Sequence, residues 1–118
     1  MDEMAIVYTT WPQAEMAQTV GRAAVETGLA ACANILAPMT SIYIWRGELQ
    51  QEAEVIMLLK TRASLASSLR DFILTRHSYE TPCVVTIPII INSSNIEFLS
   101  WIEDKTLDMN RSLDGQDL

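Results

Sequence analysis

The chain has 118 residues, 49% of them hydrophobic, with fifteen acidic against eight basic side chains and a formal charge of −7. That length suits a single domain that folds without disulfide or metal support, and the acidic balance lacks the clustered Lys and Arg that grip phosphate backbones, which argues against nucleic acid as a partner. The longest apolar runs, Val55 to Leu59 and Ile87 to Ile91, fall far short of the ~20 residues that cross a bilayer, and no basic-then-apolar signal opens the chain, so a soluble, cytoplasmic protein with no membrane partner is expected. Cys32 and Cys83 form no CxxC-type spacing and are expected as reduced thiols.

In chain order, Met4 to Tyr8 is a short apolar run that predicts a buried strand. Pro12 suits a first helical turn and Glu15 its positive end. Ala17, Val20, Gly21, Ala24 and Val25 then form one stripe of mostly small side chains, which lets a helix lie close to a sheet, and Gly28 is placed to end it. Leu29 to Trp45 has strand character interrupted by Pro38, a mark of an edge, bend or bulge. Gly47 and its polar neighbours, from Arg46 to Glu52, read as a hairpin connection into an apolar strand, Glu54 to Thr61.

A second helix is expected from about Ser64, with Leu65, Leu69, Phe72 and Ile73 on one face, closing at His77. A polar link, His77 to Pro82, leads into a β-rich run from Cys83 to Ile91 that Pro88 interrupts. Ser94-Asn95-Ile96-Glu97 has the form of a capping box opening a last helix through Phe98, Leu99, Trp101 and Ile102. The order predicts an α+β fold, a ferredoxin-like split βαβ with an antiparallel sheet and an extra C-terminal helix. The equal spacing of Thr10 to Cys32 and Thr61 to Cys83 echoes its pseudo-twofold. Residues 1–105 form the single domain, and residues 106–118 an acidic tail that frays over its last part, Arg111 to Leu118.

His77 is the only histidine, which excludes multi-histidine zinc sites and catalytic triads. With one or two thiolates it would suit copper or zinc; alternatively it caps the carbonyl end of a helix. Cys32 and Cys83 fall at the starts of the two edge strands, far apart within one chain but able to approach across a subunit interface; alternatively both are small buried hydrophobes. Lys60, at the end of an apolar strand, would meet an anionic ligand or pair with Glu80. Tyr43, Trp45, Tyr79 and Trp101 read as core or interface aromatics. No phosphate loop, nucleophile elbow or HExxH is present, so enzymatic activity is not expected.

Five pieces in register resemble the CutA family of divalent-cation tolerance proteins. They are Leu29 to Ile35, Thr40 to Gly47, Leu59 to Arg62, His77 to Pro82, and Leu99 to Trp101. The resemblance implies a ferredoxin-like subunit in a homotrimer joined through its sheet edges, as in the PII signalling proteins. It also implies a response to metal ions, with copper or another divalent metal held at inter-subunit clefts near Cys32, His77 and Cys83, beside a ligand cleft of Trp45, Lys60, Tyr79 and Glu80. A PII-like reading would place a small anionic ligand in the same clefts through Lys60. Several positions depart from the pattern: Thr9 and Arg76 stand where metal-binding members tend to carry Cys and an extra His, Ser78 replaces Pro, and Cys83 stands where Glu is common. The last exchange trades a carboxylate for a soft thiol, which favours copper(I).

Overall fold

The structure, a computed structural model, describes residues 1–108. Its elements are β1 (Met4–Trp11), α1 (Ala14–Glu26), β2 (Cys32–Trp45), β3 (Glu48–Arg62), α2 (Ala66–Leu74), β4 (Val84–Pro88) and α3 (Ile96–Lys105), with a turn of 3₁₀ helix before α2 and another before α3. The four strands form one antiparallel sheet in the order β2-β3-β1-β4. This is the expected α+β, split βαβ arrangement, with β2 and β4 at the edges.

Side-chain alternation divides the sheet into two unlike faces. Val7 and Trp11 of β1 and Val55, Met57 and Leu59 of β3 point to one face, where Ala17, Val20 and Ala24 of α1 and Leu69 and Ile73 of α2 close a buried core. The small stripe of α1 does what its composition predicts. Gly21 sits so near the sheet that a Cβ there would lie 2.7 Å from Met57 Sδ and 3.1 Å from Ala33 Cβ. Gly28 ends the helix region at φ +77°, where L side chains are strained.

The opposite face is largely uncovered. There α3 packs Leu99 and Ile102 on Met4 and Ala31 at one end, while Leu36, Val85 and Ile87 remain exposed. Beyond the domain, β2 and β3 continue as a two-stranded ribbon. The 15 residues of β3 span about 50 Å at ~3.3 Å per residue.

The hairpin turn is Arg46-Gly47, both with positive φ (52° and 82°), the pairing that matches the twist of the flanking strands. Pro38, joined to Ala37 by a cis peptide bond, lies in a bulge: Ala37 and Pro38 together oppose Val55 between the pairs Leu36↔Ile56 and Met39↔Glu54.

Several boundaries differ from expectation, β1 running on to Trp11 and β4 stopping at Pro88 among them. Strand β3 begins at Glu48, not Glu54, because residues that read as a polar turn are paired residue for residue with Met39 to Trp45. Helix α1 begins at Ala14, two residues after Pro12. The cap of α3 is Asn95, whose Oδ1 accepts from the Glu97 N–H at 3.1 Å, while Ser94 Oγ turns back to donate to the Ile90 carbonyl at 2.6 Å. The expected Ser94 capping box is therefore replaced by a cap one residue later.

After α3 the chain packs back on the domain. Thr106 is buried and its hydroxyl accepts from Arg62 Nε at 3.0 Å; Leu107 N–H donates to the Gly28 carbonyl at 2.9 Å. The Arg111 to Leu118 stretch expected to fray lies outside the described residues.

Candidate functional site

A cavity of about 420 Å³ opens on the uncovered side of the sheet, at the root of the ribbon. Strand alternation places Tyr43 and Trp45 of β2 and Glu52 and Glu54 of β3 on that side; Thr10 of β1 forms the floor, and the link between α2 and β4 brings Tyr79, Glu80, Thr81 and Cys83 across it. The polar groups are tied to one another. Tyr43 Oη donates to Glu52 Oε2 at 3.1 Å, Tyr79 Oη donates to Glu54 Oε2 at 3.1 Å, and Glu80 Oε2 is paired with Arg46 Nη2 at 3.1 Å. Glu54 is only 7% exposed, whereas the Arg46–Glu80 pair is open to solvent.

His77 positions this link instead of lining the cavity. Its ring stacks on buried Trp11, with centroids 4.2 Å apart, and its Nε2–H donates to the Thr10 carbonyl at 2.7 Å while Nδ1 accepts the Tyr79 N–H at 3.1 Å. Both nitrogens are thus occupied in the neutral Nε2–H tautomer. The group its Nε2–H satisfies is a strand carbonyl 67 residues away, not the carbonyl end of α2.

Other candidates also lie apart. Lys60 is six residues along β3 from Glu54, about 20 Å at ~3.4 Å per residue, with Nζ 5.4 Å from the centre of the Phe98 ring. Within this chain Lys60 does not line the cavity, and Glu80 pairs with Arg46. Cys32 lies opposite Lys60, which lies opposite Ile6, whereas Cys83 immediately precedes Val84, the partner of Thr9. Three strand spacings across and four residues along separate the two thiols by about 20 Å. Cys32, His77 and Cys83 thus form no common site within the chain, and no group of three His, Cys, Asp or Glu side chains among the described residues is placed to hold a metal ion.

Thr9 and Arg76 are both engaged within the fold. Thr9 is fully buried, donating to the Met57 carbonyl at 2.8 Å and accepting from Trp11 Nε1 at 2.6 Å. The Arg76 guanidinium lies 3.6 Å from the centre of the Phe72 ring. Trp45, Tyr79, Glu80 and Cys83 are brought together. Sequence reading missed Thr10, Glu52 and Glu54 as site residues and read Tyr43 only as a core or interface aromatic. The available signal was the period-2 spacing of Gln50, Glu52 and Glu54, a strand pattern within an apparently polar turn.

Titrating groups report the cavity's character. Burial, the hydrogen bond to Glu54 and the charges of Glu54 and Glu52 push the Tyr79 phenol up to about 12. Burial also pushes the Cys83 thiol up, with the charge of Glu54 adding and a hydrogen bond with Thr10 opposing. A phenol raised on folding stabilises the fold below its ordinary value of 10.0, and that contribution is lost as pH rises from there through about 12. An alkaline titration followed by phenolate absorbance is expected to show a component near pH 12 that disappears in Tyr79→Phe; a curve unchanged by the substitution contradicts the assignment.

The fold agrees with that of known proteins. The model of the CutA1 divalent ion tolerance protein family matches residues 5–105. The divalent-cation tolerance protein CutA of Thermus thermophilus is 37% identical over 106 residues, covering 90% of this chain and 99% of the relative. Human protein CutA is 34% identical over 110 residues, 93% of this chain, which spans 60% of the human protein's length. CutA1 from Oryza sativa superposes with a TM-score of 0.86 at 32% identity, covering 91% of this chain and 96% of that one. The solved structure of the Thermus thermophilus protein gives a TM-score of 0.83 at 36% identity over 88% and 99% of the two chains. With a family match running from β1 to the last turn of α3 and a bacterial relative covered end to end, the chain belongs to the CutA1 divalent ion tolerance family.

Proposed function

We propose that the protein acts in divalent-cation tolerance as a homotrimer that binds copper or a related soft cation between subunits, with Cys83 as a principal ligand. It is read as a binding protein, not an enzyme. The observation that carries this reading is the exposure of apolar surface on the uncovered sheet face and along the ribbon: Leu36, Val85 and Ile87 on the former, and Ile42 (64% exposed), Ile44 (72%) and Leu49 (72%) on the latter. A patch of this kind, flanked by two unpaired strand edges, is a hazard on a monomer and is satisfied by joining the β2 edge of one copy to the β4 edge of the next. Three such head-to-tail contacts close a ring.

The same contact gives Cys83 and Cys32 what a single chain does not, donors from a second copy. The two cysteines are unpaired and support a reducing compartment such as the cytoplasm. The acidic chains, each with a formal charge of −7, attract cations to the assembly. A small anionic ligand at this cavity is disfavoured, since Lys60 is elsewhere and the walls carry carboxylates.

Native mass spectrometry is expected to give about 40 kDa, three chains of 13.2 kDa. Calorimetric titration with Cu(I) under reducing conditions is expected to show binding that weakens in Cys83→Ala. A stable monomer at micromolar concentration overturns the assembly, and copper affinity unchanged in Cys83→Ala overturns the ligand assignment.

A further inference from the structure

We propose that Asn95 to Asp108, α3 with the residues flanking it, form a latched flap. Arg62 holds the flap shut on the end of the sheet, and it opens as one unit while the rest of the domain stays folded. Its apolar anchorage is small and separate. Of the ten residues of α3 only Leu99 and Ile102 are buried, and they pack on Met4 and Ala31 in a cluster apart from the main core. Helix α1, by contrast, sets Ala17, Val20 and Ala24 into the main core itself. An element held by few buried apolar contacts outside the core is the kind that opens below the cost of global unfolding.

Polar contacts supply the rest of the hold, and they converge on the last turn of the helix. Arg62, at the end of β3, donates from Nη2 to the Glu103 carbonyl at 2.7 Å and from Nε to Thr106 Oγ1 at 3.0 Å, while Nη1 lies 3.9 Å from Asp108 Oδ2. One planar fork thus grips a helix carbonyl, a hydroxyl and a carboxylate, a geometry that an ammonium does not reproduce. Thr106 Oγ1 in turn donates to the Ile102 carbonyl at 2.8 Å, which ties the latch to the helix. Two backbone amides complete it: Leu107 N–H donates to the Gly28 carbonyl at 2.9 Å and Asp2 N–H to Glu103 Oε2 at 2.8 Å. At its other end the flap is reached through Ser94 in extended backbone, and Asn95 caps the helix from within the flap. A hinge at Ser94 leaves that cap in place.

Both states of the flap are electrostatically complete. Closed, the Arg62 side chain is only 11% exposed and its charge is met by the groups above. Open, the guanidinium and its partners return to water, so no buried charge is stranded. Opening also adds Met4 and Ala31 to the apolar surface of the sheet. All of these contacts lie within one chain, so none depends on a face being free of a neighbouring copy.

Amide hydrogen exchange of the full chain, read peptide by peptide, tests the flap. In the wild-type protein the amides of 96–107 are expected to exchange faster than those of Val55 to Leu59 in β3. Arg62→Lys, which keeps the charge and loses the fork, should speed exchange over 96–107 by about tenfold or more, as expected for losing a charge-assisted hydrogen bond, with Val55 to Leu59 unchanged. Thr106→Val removes the hydroxyl alone and should act on the same segment in the same direction, which keeps the test open if Arg62→Lys folds poorly. Wild-type protection of 96–107 equal to that of Val55 to Leu59 overturns the proposal. So do variants that leave 96–107 unchanged, or that speed exchange equally in both segments.

Discussion

Replacing Trp11 by alanine is expected to lower the unfolding free energy by about 3–5 kcal/mol, the range for removing a large buried aromatic. Trp11 is fully buried in the core between the sheet and the helices, so the space it leaves is walled by rigid elements that collapse poorly. Its indole N–H donates to Thr9 Oγ1 at 2.6 Å, and its ring face carries His77 at 4.2 Å. Loss of that face releases the imidazole whose Nδ1 holds the Tyr79 N–H, so Trp11→Ala should also loosen Tyr79 from Glu54. Trp11→Phe keeps the stacking surface and gives up one hydrogen bond, which is expected to cost less than half as much. Chemical denaturation checks both. A loss below ~1 kcal/mol for the alanine variant, outside that range, would show that this ring is not central to the core.

The second large effect is expected at Gly21. A Cβ there meets Met57 Sδ at 2.7 Å and Ala33 Cβ at 3.1 Å, so valine forces α1 away from the sheet or Met57 out of its buried place. Overpacking of this kind typically costs about 1–3 kcal/mol. Alanine should be nearly neutral, because the flexible thioether can shift slightly and helix propensity improves by roughly 0.5–1 kcal/mol. Shortening the obstacle offers the decisive comparison. Gly21→Val combined with Met57→Ala should be less destabilised than the sum of the two single changes, since the second creates the space that the first fills. Strict additivity in a double-mutant cycle would refute the contact as the cause.

The Gly21 prediction rests on a feature the sequence displays openly, the stripe Ala17, Val20, Gly21 and Ala24, which says that something large lies opposite. That Met57 is the neighbour follows only from the register of β3. The ribbon illustrates the reverse. Glu48 to Glu52 are the polar residues of a turn by composition, yet they are strand residues because β2 supplies the hydrogen bonds that their own pattern does not announce. Exposure on both faces of a ribbon removes the apolar alternation by which strands are recognised.

Local chemistry in the sequence determined the element order, the bulge at Pro38, the left-handed glycines at 28 and 47 and the family resemblance, because each depends on residues close in the chain or on their sequential order. Tertiary structure alone decided which candidates share a site. Strand register sets Lys60 about 20 Å along β3 from Glu54, a carbonyl from β1 occupies His77, and the link after α2 gathers Tyr79, Glu80 and Cys83 over Glu52 and Glu54. The polarity of the cavity was decided at the same level. Only the fold turns the two phenol donors, Tyr43 and Tyr79, onto the two carboxylates, Glu52 and Glu54.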